Sequence, residues 1–193
     1  MAAGACSGMT VRVGSDLIIQ PANAADASEI AAVYAHHVLR GTATFEIDPP
    51  DAAEIAARIA RITGGGAPWL VARGAGGELV GYAYAAQFHA REAYRYCCED
   101  SIYLAPGRLG QGIGTRLLAA LIEAAEASGF RQMVAKIAGG EAASVALHAR
   151  AGFAECGLLR AAGRKHGKWL DVVLMQRSLG QGGDTPPEGE GGW

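Results

Sequence analysis

Ser101-Ile-Tyr-Leu-Ala-Pro-Gly-Arg-Leu-Gly-Gln-Gly-Ile-Gly-Thr115 is the stretch that decides the fold of this chain. It reads as a short strand, a turn with glycines at 110, 112 and 114, and the start of a helix with apolar residues at 117, 118, 121, 122 and 125. Glycines let a backbone turn so that several N–H groups point into one concavity at a helix N-terminus. Together with the helix dipole, such a concavity can hold a phosphate or pyrophosphate group. The stretch therefore predicts an anion-binding turn.

Other glycine-rich turns have to be compared with this one. A Walker loop ends in Gly-Lys-Ser/Thr, whereas Gly114 is followed by Thr115 and Arg116. A dinucleotide fingerprint needs a third glycine, and Thr115 stands at that position after Gly110 and Gly112. A turn that only caps the following helix stays open as an interpretation of this stretch alone.

The composition of the chain restricts the classes of protein to which it can belong. With 193 residues, of which 50% are hydrophobic and 19% are charged, it suits one globular domain. The net charge of −2 argues against a nucleic-acid-binding surface, and no run approaches the ~18 apolar residues of a membrane span. Residues 1–14 lack the basic and apolar regions of a secretion signal. The four cysteines, at 6, 97, 98 and 156, have no metal-ligand spacing, so we expect a cytoplasmic protein with reduced thiols and no metal.

Hydrophobic periodicity divides residues 16–179 into helices and strands. The pattern predicts strands at 17–20, 69–73, 79–86, 97–104, 132–137, 153–159 and 170–177. Helices are predicted after a cap at Asn23, over 51–62, from the glycine turn to Ser128, and over 142–151. This order indicates an α/β or α+β domain. The flanking residues 1–15 and 180–193 are rich in small, polar or acidic side chains, and we expect both to be disordered.

A second motif, Ser144-Val-Ala-Leu-His-Ala-Arg-Ala-Gly-Phe153, follows the helix that begins at the glycine turn. Together the two motifs resemble the GCN5-related N-acetyltransferase (GNAT) family, whose glycine turn holds the pyrophosphate of acetyl-CoA. Further segments are similar to one branch of that family, the phosphinothricin and methionine sulfone/sulfoximine N-acetyltransferases: Pro68–Ala72, Gly81–Ala85, Arg91–Tyr94, Glu99–Tyr103 and Arg160–Asp171. The likeness extends from residue 17 to residue 179.

The resemblance implies a fold and an activity for residues 16–179. The family's fold is a central mixed, mostly antiparallel sheet of about seven strands flanked by four helices, which is a layered α/β (α+β) architecture. Members of this branch transfer the acetyl group of acetyl-CoA directly to the amine of a small amino acid or analogue, and they form homodimers. Acetylation of another amine, including a protein N-terminus, and a non-catalytic acyl-CoA-binding module remain alternatives.

Glu99 and His148 are the candidate catalytic residues. Alternation along the strand places Glu99 on the same face as Ser101 and Tyr103. A partly buried carboxylate suits the acceptance of a proton from an amine, directly or through water; an ion pair with the arginine at 91 or 95 is the structural alternative. His148 follows Ser144 by one helical turn, where it either handles protons or only packs and hydrogen-bonds.

The resemblance assigns contacts with acetyl-CoA to three segments. Backbone groups of Ile102, Tyr103 and Leu104 would pair with pantetheine, although a strand tyrosine is more often a core residue. The N–H groups of the turn would bind pyrophosphate; its residues are Leu109, Gly110, Gln111, Gly112, Ile113, Gly114 and Thr115. Ser144 and Glu141 complete the set, but Glu141 stands where the family usually has an asparagine. Because a carboxylate cannot donate a hydrogen bond and CoA is anionic, we expect weaker CoA binding or a local rearrangement.

Four residues are expected to contact the amino-acid substrate: Phe45, Arg91, Glu92 and Tyr94. Arg91 and Tyr94 match positions near the substrate in this branch, and a guanidinium suits a carboxylate, whereas arginines are usually exposed at the surface. Phe45 would border the same pocket. The cations at 160, 164, 165 and 168 predict either a loop over the substrate or the dimer partner, or a solvated hairpin turn.

Overall fold

Eight strands and four α-helices make up the part of the chain that the computed structural model describes, residues 11–12 and 17–187. The strands are β1 (Val11–Arg12), β2 (Leu17–Pro21), β3 (Trp69–Gly74), β4 (Leu79–Gln87), β5 (Cys97–Leu104), β6 (Gln132–Ala138), β7 (Ala154–Lys165) and β8 (Lys168–Ser178). The helices are α1 (Ala27–Arg40), α2 (Ala52–Gly64), α3 (Ile113–Ala127) and α4 (Ala142–Arg150). Two 3₁₀ turns, Ala24–Asp26 and Glu92–Tyr94, precede α1 and β5.

The strands form one sheet in the order β1-β2-β3-β4-β5-β6-β8-β7. β5 and β6 are parallel, and the other neighbouring strands pair antiparallel. This mixed, mostly antiparallel sheet with four helices confirms the fold that the resemblance implied. β1 adds a two-residue edge strand inside the segment 1–15, for which the sequence predicts disorder. The rest of that segment and residue 16 lie outside the described residues.

The helices cover both faces of the sheet, so the core has two parts. On one face, the leucines of α3 are completely buried against strand residues that include Met133. On the other face, α1 and α2 pack Ile30, Val38 and Ile55 against Tyr82. Burial of each side chain of this size contributes roughly 1.5–3 kcal/mol. The two apolar layers therefore hold the sheet, and with it the strands that form the site, in a fixed position.

Side-chain caps lie at the start of the 3₁₀ turn that leads into α1 and at the start of α2. The Asn23 side chain accepts a hydrogen bond from the N–H of Ala25, and the Asn23 N–H donates to Asp26 Oδ2 at 2.8 Å. The carboxylate of Asp51 accepts from the N–H of Glu54 at 2.8 Å. Each such cap contributes about 1 kcal/mol. The helices therefore begin close to the polar residues from which the sequence predicts them.

The β7–β8 hairpin corrects one expectation from the sequence. Residues 160–165 belong to β7 and not to a loop, and only His166 and Gly167 form the turn. Both have positive φ angles, +48° and +75°, as in the two-residue turns that match the twist of paired strands. The cations at 160, 164 and 165 therefore lie on an edge strand and not in a loop, and their role toward a substrate or a partner stays a prediction.

The segment after β8 folds back on the domain. Arg131 donates through Nη2 to the backbone oxygens of Thr185 and Pro186, both at 3.2 Å. The remaining part of the tail that the sequence predicts to be disordered, residues 188–193, lies outside the described residues. Among the helices of residues 17–187, none has the length and hydropathy needed to cross a membrane.

Candidate active site

A cleft opens in the middle of the sheet, where β5 and β6 separate. The parallel pairing of these strands ends at Asp100 and Ala135, although β5 continues to Leu104 and β6 to Ala138. The two strand ends and the neighbouring side chains enclose a cleft of about 430 Å³. Backbone groups along the separated edges no longer pair with the neighbouring strand, so they are available to an extended ligand.

The glycine turn follows the end of β5 and leads into α3. Gly110 and Gly112 have positive φ angles of +76° and +74°, and Gly112 is the N-cap of α3. A Cβ atom at either position would meet no atom of the described residues within 4 Å, so the concavity of the turn is open. The first N–H groups of α3 have no intrahelical acceptor. An anionic group with several oxygen acceptors fits this turn.

Side chains of neighbouring elements pack against the start of α3 and the end of β5. A Cβ atom at Gly114 would lie 3.5 Å from the side chain of Leu147 and 3.6 Å from that of Leu104, so the turn packs between α4 and the end of β5. The ring of His37 approaches the carbonyl of Leu104 through Nε2 at 2.8 Å. Leu109 is exposed, and the side chain of Gln111 donates to the carbonyl of Gly107 at 3.0 Å.

Glu99 lines the cleft and forms an ion pair with Lys136. The distance from Glu99 Oε2 to Lys136 Nζ is 2.6 Å, and both side chains are partly exposed. The alternative of an ion pair with an arginine at 91 or 95 therefore named the wrong cation. Lys136 comes from β6, and no sequence motif pointed to it; its position follows from the parallel register that places Glu99 opposite Val134.

His148 forms a buried pair with Asp100 on the other side of β5. The distance from His148 Nε2 to Asp100 Oδ2 is 3.0 Å, and the ring's Nδ1 lies 2.8 Å from the carbonyl oxygen of Ser144. Burial lowers the pKa of His148, but the hydrogen bond and charge of Asp100 outweigh it, so the pKa is raised above its ordinary value. The sequence analysis did not select Asp100. The only sign of its position was the alternation of side chains along β5, which places it on the opposite face from Glu99.

The remaining acetyl-CoA candidates are distributed around the same cleft. Ile102, Ser144 and Glu141 line it, and Glu141 is the N-cap residue of α4, with the hydroxyl of Thr42 at 3.5 Å from its Oε1. Tyr103 also lines the cleft, but its ring belongs to the core on the α1–α2 face. Its expected contribution is therefore limited to its backbone.

Phe45 forms part of the cleft wall between α1 and the β7–β8 hairpin. Its ring contacts Gly163 so closely that a Cβ atom there would collide with it. Next to it, Lys165 donates through Nζ to the carbonyl of Thr44 at 2.7 Å, and burial lowers the pKa of this ammonium. Thr44 also hydrogen-bonds the hydroxyl of Tyr34 at 2.7 Å. Burial raises the pKa of Tyr34 to about 12, so this phenol stays neutral at physiological pH.

Arg91, Glu92 and Tyr94 lie outside the set of residues that line the cleft. They occupy an exposed turn between β4 and β5, where Tyr94 packs near the ring of Phe88 at 5.8 Å between centroids. The centroid of the Phe88 ring lies 5.5 Å from Lys136 Nζ. The turn therefore stands next to the Glu99 end of the cleft, and its role toward a substrate stays a prediction.

The arrangement brings together the groups that an acyl transfer to an amine needs. A carboxylate and a buried histidine line one opening in the sheet, and the glycine turn follows the strand that forms one edge of this opening. Within residues 11–12 and 17–187, no group of three or more His, Cys, Asp and Glu side chains could hold a metal ion.

Comparison with known proteins gives one consistent result. The model of the acetyltransferase (GNAT) domain matches residues 19–174. The chain is 48% identical to a phosphinothricin N-acetyltransferase of Alcaligenes faecalis, over 84% of this chain and 83% of that protein. It is 40% identical to an L-methionine sulfoximine/L-methionine sulfone acetyltransferase of Pseudomonas paraeruginosa, over 83% and 94%. A phosphinothricin acetyltransferase of Sinorhizobium meliloti, solved in complex with acetyl-CoA, superposes with a TM-score of 0.87 at 49% identity, over 89% and 93%.

Proposed function

Because the chain belongs to the GNAT acetyltransferase family, we propose that it transfers the acetyl group of acetyl-CoA to the α-amino group of a small amino acid or analogue. Phosphinothricin, methionine sulfone and methionine sulfoximine are the acceptors suggested by the names of its relatives. The observation that carries this proposal is the cleft between the separated ends of β5 and β6, which Glu99 lines, together with the glycine turn that follows β5.

We propose that acetyl-CoA binds along the residues that the sequence analysis assigns to it. The open turn at Gly110 and Gly112 would hold the pyrophosphate, and the separated backbone of Ile102–Leu104 would hold the pantetheine arm. The co-substrate supplies the thioester from which the acetyl group is transferred. Glu141 is the one group in the set with the wrong charge for an anionic ligand, so it is expected to weaken binding.

Glu99 is proposed as the general base. An α-amine is largely protonated at neutral pH and must lose a proton before it attacks a thioester. Glu99 borders the cleft and is only partly buried, so it can accept this proton directly or through water. Backbone N–H groups at the separated end of β5 would stabilise the negative charge that develops on the carbonyl oxygen.

We further propose that the protein is a cytoplasmic homodimer. The three described cysteines are unpaired, as is usual in a reducing compartment. Three large apolar side chains, Leu158, Leu159 and Trp169, are exposed on the hairpin that forms the edge of the sheet, and Leu159 also lines the cleft. Exposed apolar edge strands usually mark an interaction surface.

The test of the proposed function is the release of CoA thiol from acetyl-CoA over a panel of free amino acids and analogues. The panel contains phosphinothricin, methionine sulfone, methionine sulfoximine and a peptide with a free N-terminus. We expect release with at least one of the three analogues, and mass spectrometry should show the N-acetylated product. Binding of acetyl-CoA without transfer to any amine would instead support a non-catalytic acyl-CoA-binding module.

A further inference from the structure

Three polar groups form a continuous line under the cleft: Asp100, His148 and Ser144. Asp100 is 6% exposed and His148 is 2% exposed. Besides its contact with the Ser144 carbonyl, His148 Nδ1 lies 3.4 Å from the Ser144 hydroxyl. All three residues line the cleft. The hydroxyl of Ser144 is therefore the end of a buried chain that begins at a carboxylate.

The hydrogen-bond partners decide where the protons of His148 are. A carbonyl oxygen only accepts, so the Nδ1 atom beside the Ser144 carbonyl carries a hydrogen; the carbonyl is its nearer acceptor at 2.8 Å, and Ser144 Oγ is a second, more distant acceptor of the same hydrogen at 3.4 Å. Nε2 faces a carboxylate, and a carboxylate next to an imidazole favours the protonated ring. The other oxygen of Asp100 has no hydrogen-bond partner among residues 17–187. Because a buried carboxylate needs a compensating charge, Asp100 depends on His148 for that charge.

We propose that Asp100 is a positioning residue that keeps His148 an imidazolium, and that this imidazolium protonates the leaving sulfur of the thioester through the hydroxyl of Ser144. This inference rests on the proposed function and assigns the acid of the same reaction. The charged groups lining the rest of the cleft are Glu99, Lys136 and Glu141. Among residues 17–187, Glu99 pairs with Lys136 and Glu141 lies near Thr42, and none of the three forms a hydrogen bond or ion pair with the His148 ring.

The proton transfers balance as follows. When the C–S bond breaks, its electron pair stays on sulfur, and Ser144 Oγ gives its hydrogen to that sulfur. Oγ takes the hydrogen of His148 Nδ1 in the same step, so the imidazolium becomes a neutral ring. Nε2 keeps its hydrogen, which Asp100 Oδ2 accepts. The amine loses two protons: Glu99 takes the first before attack and passes it to solvent, and it takes the second from the nitrogen of the tetrahedral adduct as that adduct collapses. Glu99 then releases this second proton to solvent and His148 takes one proton back, so each turnover releases one proton in total.

The first test reads the protonation of His148 without turnover. In histidine-¹⁵N-labelled protein, long-range ¹H–¹⁵N spectra distinguish an imidazolium from either neutral tautomer, and His148→Gln assigns the signal. We expect an imidazolium at neutral pH in the wild type. Asp100→Asn should move the titration of His148 to lower pH by about one to three units, the usual effect of one adjacent opposite charge. A neutral His148 in the wild type, or an unchanged titration in Asp100→Asn, would overturn the proposal.

The second test uses steady-state kinetics with the acceptor found in the amino-acid panel. His148 must be protonated to act, so turnover is lost as pH rises through its pKa, and Asp100→Asn should move this loss to lower pH. Ser144→Ala should lower kcat by about 10²-fold with little change in the KM values, and it should leave the titration of His148 unchanged. Wild-type kcat in Ser144→Ala would overturn the relay and leave the proposed function standing. A panel without any acceptor would overturn the proposed function and the relay together.

A matched control distinguishes two effects of Asp100→Asn: the general effect of removing a buried charge, and the specific effect on His148 as the acid. Asp26 is 3% exposed and pairs with Arg73 at 2.5 Å, at a place that does not line the cleft. Asp26→Asn should lower thermal stability, as Asp100→Asn should, but the pH profile of kcat should remain that of the wild type. If Asp26→Asn shifts the profile equally, the effect of Asp100→Asn is not specific and the proposal is wrong. Ser144→Ala keeps the buried pair, so it remains a valid test if Asp100→Asn fails to fold.

Discussion

At the scale of the residue, the ion pair between Glu99 and Lys136 combines two properties that a general base needs. The carboxylate remains accessible, with 28% of its side chain exposed, and a cation holds it in place at 2.6 Å. Such a half-exposed pair contributes only about 0–1 kcal/mol to stability. Loss of this pair should therefore change the stability of the fold little.

Replacing Glu99 tests that role directly. Glu99→Gln should melt at nearly the same temperature as the wild type and should still bind acetyl-CoA. Its kcat should fall by roughly 10²–10⁴-fold, the usual contribution of a positioned general base. The loss should become smaller at high pH, where more of the substrate amine is already neutral. Stopped-time assays from pH 6 to pH 10, about the range in which α-amines titrate, provide the measurement.

The control for this variant is Lys136→Gln, which removes the partner but keeps the carboxylate. It should lower kcat by less than about tenfold, well below the range expected for loss of the base itself. If Glu99→Gln retained near wild-type turnover at neutral pH, Glu99 would not be the base.

The residues of the site differ in how far the sequence could predict them. Glu99, Ser144 and His148 lie in motifs with a recognisable spacing, and all three line the cleft. Lys136 and Asp100 escaped prediction because their roles depend on which strands pair and in which register. Contacts between β5, β6 and α4 are set by the packing of the whole sheet, which no local pattern encodes.

At the scale of the element, the N-terminus of α3 is the feature that we propose binds the pyrophosphate of acetyl-CoA. Gly112→Ala should weaken acetyl-CoA binding at least about tenfold, or ~1.4 kcal/mol. The new methyl group would meet no protein atom, so it would occupy open space at the turn where we propose that the pyrophosphate binds. Isothermal titration calorimetry with acetyl-CoA provides the measurement.

Gly129 at the other end of α3 is the matched control. It also has a positive φ angle, +90°, and a Cβ atom there also meets nothing within 4 Å. Gly129→Ala should therefore carry the same backbone strain, about 1–2 kcal/mol, without changing the affinity for acetyl-CoA. Equal losses of affinity in both variants would mean that strain, and not access to the turn, explains the result.

The β7–β8 hairpin gives a second prediction at this scale. Gly163→Ala should push the ring of Phe45 out of the cleft wall, because a Cβ atom there collides with it. We expect a raised KM for the amino acid and an unchanged dissociation constant for acetyl-CoA. Gly157→Ala on the same strand is the control, since its Cβ would make only an ordinary contact with Leu174 at 3.6 Å. An unchanged amino-acid KM in Gly163→Ala would remove Phe45 from the substrate site.

The boundaries of this hairpin also show where prediction from sequence stops. The paired strands run through residues that are mostly charged or small, so period-two alternation is lost after Leu159. A bulge between Leu159 and Gly163 interrupts the register, and Ala161 adopts a φ angle of +49°. The N–H of Ala161 donates to Asp171 Oδ1 at 2.7 Å. A side-chain contact across the hairpin thus supports a conformation that local pattern would assign to a loop.

At the scale of the whole molecule, the exposed hairpin face predicts an assembly. Cross-strand partners share a face, and Leu158 pairs with Val173, which lies on the same side of β8 as Trp169. Leu158 and Trp169 therefore point to one side of the edge hairpin, while Leu159 lines the cleft on the other. An apolar surface on an edge element is best covered by a second copy of the chain, because identical patches are self-complementary about a two-fold axis.

The prediction is that this face forms the homodimer. The double variant Leu158→Glu/Trp169→Glu should be monomeric in sedimentation velocity at concentrations where the wild type is a dimer, since two buried carboxylates per protomer would oppose association. Its circular dichroism should stay that of a folded protein, because both side chains are exposed in the protomer. Leu39→Glu, at an exposed leucine near the end of α1, is the control and should remain dimeric. A monomeric wild type would contradict the assembly itself, and a dimeric double variant would place the interface on another face.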